Sequence, residues 1–192
     1  MDETAAHRTA PSPSGILLLY AARGVRGFGD GFAIIILPAY LSEIGFSPSQ
    51  IGILASASLL GTALLTLAIG FIAPRHDLRS LLLAGAALMA CTGLVFPNFD
   101  QFAFLAIIAF VGTINPSTGD LGVLVPLEHA MLAHGVPDHE RTRTFARYSL
   151  IGALSMAAGS LAAAAPDFLE AAGIGRLSAF KLMFYAYAVL GL

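Results

Sequence analysis

The sequence predicts an all-α, polytopic membrane protein, a six-helix transmembrane bundle made of two inverted three-helix repeats. Three observations lead there. Of the 192 residues, 57% are hydrophobic and 11% charged, whereas soluble domains carry about 25% charge. The apolar residues fall into six runs near the roughly 20 residues that cross a bilayer. Two of these runs are interrupted at mid-length by Gly-Asp with a proline following. A formal charge of −2 argues against nucleic acid, which needs a basic face to neutralise phosphates. The single cysteine, Cys91, excludes an internal disulfide or a thiolate metal cage and reads as a small core residue.

Residues 1–14, MDETAAHRTAPSPS, are polar and rich in proline and serine, and predict a disordered cytoplasmic tail ahead of a bundle at 15–192. They lack the basic start and short apolar core of a cleavable signal. The first span, 15–41, carries Arg23, Arg26 and Asp30 at its centre. Each such charge costs about 2.5 to 3.5 kcal/mol on insertion scales, so it persists where it faces protein or water. At about 100° per residue the three share one helix face, and Arg26 can pair with Asp30 four residues on. The stripe predicts a helix whose inner side lines something aqueous.

Ser47-Pro48-Ser49-Gln50 predicts a capping box opening the second span, 51–73, where Ala57 and Gly61 offer a small-residue face to a neighbour. The charged link Pro74 to Arg79 precedes the third span, 80–96. The fourth, 101–132, has Gly112-Thr-Ile-Asn115-Pro-Ser-Thr-Gly-Asp120-Leu-Gly122 at its centre, a run that breaks a helix. Such a break is tolerated at membrane depth where protein or a wet cavity satisfies the backbone. Ala133 to Arg143 reads as a loop. The fifth span, 144–165, has Arg147 snorkelling in its first turn, a small face of Ser155, Gly159 and Ala163, and an end at Pro166. The sixth, 178–192, reads as incomplete, as if the chain were cut inside it.

Basic residues set the orientation. Arg8, Arg75, Arg79, Arg141 and Arg143 fall on one side, against Arg176 and Lys181 on the other, so the N-terminus is expected in the cytoplasm, with the protein in a plasma or inner membrane. The segments from Gly29 (GDGFAIIILP) and Gly119 (GDLGVLVP) resemble each other, placing Asp30 and Asp120 in matching spans. Paired, interrupted spans of this kind mark the binding site of an inverted-repeat carrier.

With six such spans and a charged link after the second, the chain resembles the N-terminal half of a major facilitator superfamily transporter. The match is carried by Gly70-Phe-Ile-Ala73-Pro74-Arg75-His-Asp77-Leu-Arg79, where that family has Gly-x-Leu-Ala-Asp-Arg-x-Gly-Arg-Arg. Gly70, Ala73, Arg75 and Arg79 fit; Pro74 stands in the acidic position and Asp77 in that of the second glycine. The resemblance implies a gating loop at Gly70, Arg75, Asp77 and Arg79. It also implies half of a twelve-helix fold, and a second six-helix bundle as partner, on the missing half or on another chain.

The expected function is secondary active transport of a small solute by alternating access. Arg23, Arg26, Asp30, Asn115 and Asp120 are the substrate-binding candidates; Asp30, Asp120 and Glu128 are those for proton coupling. Two guanidiniums against one carboxylate favour an anionic solute, since Arg grips an anion with two parallel hydrogen bonds; a drug-like solute is the other possibility. The plainer expectations are an orienting ion pair in the first span, a helix cap at Asp120, and Glu128 with His129 at the membrane surface. His129, His134 and His139 read as solvated, with no metal-ligand spacing, and no cofactor is expected. The alternatives are an intramembrane aspartyl protease using Gly27-Phe-Gly-Asp30 with Asp120, and a non-catalytic membrane subunit. A serine protease built on Ser117 is disfavoured, because no histidine follows His139 to serve as base.

Overall fold

The computed structural model describes residues 13–112 and 124–192. The described helices are α1 (Pro13–Glu43), α2 (Pro48–Ile72), α3 (Leu78–Val95), α4 (Phe102–Val111), α5 (Val125–Gly135), α6 (Asp138–Ala162), α7 (Ala165–Ala171) and α8 (Arg176–Leu190). Four stretches among them are long and apolar enough to cross a membrane: Gly15–Glu43, Pro48–Ile72, Leu78–Asn98 and Asp138–Ala171.

Helix starts follow local chemistry. At α2 the Gln50 amide donates to the Ser47 hydroxyl at 3.3 Å and the Ser47 amide donates to Gln50 Oε1 at 2.9 Å. This is the reciprocal box the sequence predicts. Ser47→Ala is expected to lower stability by about 1 kcal/mol, and Ser47→Gly by a few tenths; thermal melts of the two variants check the order.

Elsewhere the boundaries move. α1 begins at Pro13, two residues before the expected span, because proline fits a first helical turn. The Ala133–Arg143 stretch, read as a loop, is helical except at Val136 and Pro137. Asp138 and Glu140 open α6 with the negative charge a helix N-terminus favours, and the Arg141 guanidinium reaches Asp138 at 2.8 Å and the Ala133 carbonyl at 3.0 Å. The polar composition that argued for a loop belongs to a helix start. Pro166, expected to end the fifth span, sits in the first turn of α7. α4 closes at Val111, with Gly112 in extended backbone; α5 is described from Val125, and the expected break at 113–122 lies outside the described residues.

Set against the six spans expected from the sequence, the described helices fall in the order α1, α2, α3, then α4 and α5 for the fourth, α6, and α8. The most extensive packing joins α1 with α6, α2 with α4, α3 with α8, and α1 with α8. Exchanging spans one with four, two with five and three with six turns the α1·α6 pair into α2·α4. The α3·α8 pair maps onto itself, and α1·α8 maps onto α3·α5, which also touch. This is the pairing two inverted three-helix units produce.

Glycines make the two equivalent crossings close. A Cβ on Gly159 of α6 would overlap the Phe28 backbone of α1, and one on Gly61 of α2 would overlap the Phe110 backbone of α4. The small faces read at Gly61 and Gly159 thus meet helices one and four. In this equivalence Phe28 matches Phe110, so Gly112 stands two residues on, where helix one has Asp30; Asp120 lies outside the described residues.

The main core gathers Phe32, Ile36, Tyr40, Leu105, Phe184 and Tyr187 at one end, and a smaller cluster joins Leu19, Leu132 and Tyr148 at the other. Cys91, expected in the core, is exposed. It lies on the α3 face with the exposed Leu83 and Leu94, whereas Gly93 is the residue that meets α8 at Phe184 and Ala188.

Candidate functional site

The polar face of α1 is covered by α5, α6 and α8. α6 can come close enough because its contact residues are small. A Cβ on Gly27 would sit 3.1 Å from the Gly152 carbonyl oxygen, and one on Gly152 would run into the Arg23 guanidinium. Glycine at 152 therefore leaves the volume that the Arg23 head occupies.

Glu128 of α5 is 1% exposed. Arg26 Nη2 lies 2.6 Å from each of its carboxylate oxygens, and the Tyr148 hydroxyl of α6 donates to the same carboxylate. One face of the Tyr148 ring carries the Arg23 guanidinium, 5.0 Å from its centroid. The His129 ring packs edge-on to Tyr148 and to Phe145, with 5.1 Å between centroids in both cases. The Tyr20 hydroxyl donates to the Thr144 carbonyl at 3.2 Å, tying α1 to α6 beside this cluster. Farther along α1, Asp30 accepts a hydrogen bond from the Tyr187 hydroxyl of α8 at 3.1 Å.

The sequence-based expectations fare differently here. Arg23, Arg26 and Asp30 do lie along one side of α1, but Arg26 joins Glu128 instead of Asp30. Charge order favours this: at a spacing of four an acid ahead of a base pairs better than the reverse, and Arg26 precedes Asp30, so the α5 carboxylate takes the guanidinium. Glu128 and His129, for which the plainer of the two expectations was a place at the membrane surface, are inside the bundle, Glu128 fully and His129 in part. Among the described residues, two carboxylates, Asp30 and Glu128, stand beside the two guanidiniums of α1, where the first span alone offered one.

Asn115 and Asp120 lie outside the described residues, and with them the aspartyl dyad. Gly70, Arg75, Asp77 and Arg79 are exposed at the α2–α3 connection, where the Ser80 hydroxyl donates to Asp77 at 3.5 Å. Arg147 is exposed, as a snorkelling side chain requires, and His139 is exposed. Tyr148 and Tyr187 were not singled out from the sequence. The available signal was a phenol within an apolar run, whose hydroxyl needs a partner once buried. Among the described residues no three His, Cys, Asp or Glu side chains are grouped to hold a metal.

Comparison with known proteins gives this geometry a setting. The family model described as Major Facilitator Superfamily matches residues 19–192. An uncharacterized membrane protein of Saccharomyces cerevisiae is 30% identical over 176 residues, covering 90% of this chain and 39% of that protein. The quinolone resistance protein NorA of Staphylococcus aureus is 24% identical over 136 residues, covering 71% of this chain and 34% of its own length. The chain thus spans between a third and two fifths of the relatives it matches. By the extent of the family match, and with an all-helical bundle of membrane-spanning length, it is a multi-pass membrane protein that belongs to the Major Facilitator Superfamily.

Proposed function

We propose that the chain is one six-helix bundle of a secondary active transporter that moves a small solute by alternating access. The observation that carries this reading is a network of ionisable side chains held between α1, α5 and α6 inside a bundle of this superfamily. Burying such groups is costly, and a solute pathway is the use that membrane carriers make of them. In this reading the bundle occupies 15–192, with the N-terminus in the cytoplasm of a plasma or inner membrane. A second six-helix bundle, on the same polypeptide or another, completes the pathway. Arg23, Arg26, Asp30, Asn115 and Asp120 face the solute; Asp30, Asp120 and Glu128 are the groups available to a coupling proton; and Gly70, Arg75, Asp77 and Arg79 form the gating loop. The relative named for quinolone resistance supports a drug-like solute.

The test is transport in membrane vesicles containing the chain together with a complementary six-helix bundle. A quinolone and ethidium serve as solutes, with and without an imposed proton gradient. Gradient-dependent movement of either, lost in Asp30→Asn, supports the proposal. Movement equal to that of vesicles lacking the protein, with both bundles inserted, overturns it.

A further inference from the structure

The two carboxylates described on the polar side of α1 are held in different ways. Glu128 is closed off: 1% exposed, it takes a guanidinium from Arg26 and a hydroxyl from Tyr148. Asp30 is half-buried and, among the described residues, receives one hydrogen bond, from the neutral Tyr187 hydroxyl at 3.1 Å. Neither guanidinium of α1 forms an ion pair with it. Arg26, a turn earlier, is taken by Glu128, and Arg23 lies over Tyr148.

An ionised carboxylate offers about four lone-pair sites, so a single neutral donor leaves most of its acceptor capacity open. Arg26 and Arg23 act on Asp30 through space without a hydrogen bond to it, so its remaining acceptor sites stay open to a donor brought by a solute. Tyr187 fits a positioning role. Its ring is fully buried and packs edge-on to Phe32 at 6.2 Å, so its hydroxyl holds the Asp30 carboxylate in one orientation without neutralising it.

We infer that Asp30, oriented by Tyr187, accepts the cationic group of an amine- or amidine-bearing solute, while Glu128 is engaged by Arg26 and Tyr148 between α1, α5 and α6. The inference rests on the transport reading and deepens it. It assigns the solute a positive charge, opposite to the one argued from the first span alone, and it separates two carboxylates that the sequence treats alike. N–H donors of the solute fill the open lone pairs of Asp30 as charge-assisted hydrogen bonds, the stronger kind. Among the described residues, the charged and titratable groups around Asp30 are Arg23 and Arg26 of α1, Glu128 of α5 and Tyr187 of α8.

The test measures binding alone, so it stands apart from transport. 2-Phenylethylammonium and the size-matched anion 3-phenylpropanoate are titrated onto the full chain in detergent micelles, read by saturation-transfer NMR with empty micelles subtracted. The ammonium is expected to bind about tenfold tighter than the anion, the scale of one hydrogen bond to a charged group. Asp30→Asn keeps an acceptor for Tyr187 and abolishes the preference; Asp30→Glu retains it. Tyr187→Phe weakens ammonium binding by about threefold, the scale of a neutral hydrogen bond. In the unaltered protein, acidification weakens ammonium binding because protons compete for the same carboxylate, a readout that needs no variant to fold. A preference for the anion, equal binding of both, binding of neither, or a preference that survives in folded Asp30→Asn overturns the inference. If these fail while vesicles still move solute, the transport reading stands without a cation site at Asp30.

Discussion

Glu128→Ala is expected to cost about 3 to 5 kcal/mol of stability, the range for removing one partner of a buried ion pair. The reason is what remains. Arg26, whose side chain is 14% exposed, would keep its charge without its carboxylate, and the Tyr148 hydroxyl would lose its acceptor. The paired change Arg26→Leu with Glu128→Leu removes both charges together and is expected to recover most of the loss, since buried pairs replaced by apolar residues are often neutral or stabilising. Unfolding of the purified protein in mixed micelles by added SDS checks both. Equal losses in the single and the double variant would show that the pair is not what holds α5 to α1.

A second large effect is expected at the α1·α6 crossing. Gly159→Leu puts a side chain where the Phe28 backbone lies, and backbone cannot step aside as a flexible side chain can. Overpacking of this sort costs about 1 to 3 kcal/mol and occasionally more; with a backbone as the obstacle, the upper end is expected. Gly52→Leu is the matched control. Nothing lies within 4 Å of a Cβ at Gly52, and leucine favours a helix over glycine by roughly 0.5 to 1 kcal/mol. Its melting temperature should therefore be unchanged or higher. Similar losses in both variants would mean that helix crossing distance is not the constraint at Gly159.

The reach of the sequence is visible in particular residues. The capping box at Ser47 and Gln50 was legible because every group in it lies within one turn, so spacing alone fixes the geometry. Gly61 and Gly159 were legible as contact residues because helix contacts in lipid select small side chains, though not which helices they would meet. Asp138 to Arg143 misled because charge and proline suit both a loop and a capped helix start. Cys91 misled because in a membrane bundle apolar residues face outward as readily as inward, and hydropathy does not separate the two.

The polar site shows the same division. That the charges of the first span needed compensation followed from their position in an apolar run. Which group supplied it did not, because Glu128 and Tyr148 stand 102 and 122 residues from Arg26 in the chain. Sequence distance carries no sign of which rings and carboxylates helix packing will bring to one point.

By itself, then, the sequence determined that this is an all-helical membrane bundle with costly charges inside its spans, because hydrophobic run length and the price of buried charge are properties of a segment and its solvent. Only the tertiary structure decided the pairing: Arg26 with Glu128, Asp30 with Tyr187, and Cys91 turned outward. Ion pairs and hydrogen bonds depend on separations of a few ångströms, and these are set by how glycines let α6 close upon α1 and by where α5 packs against both.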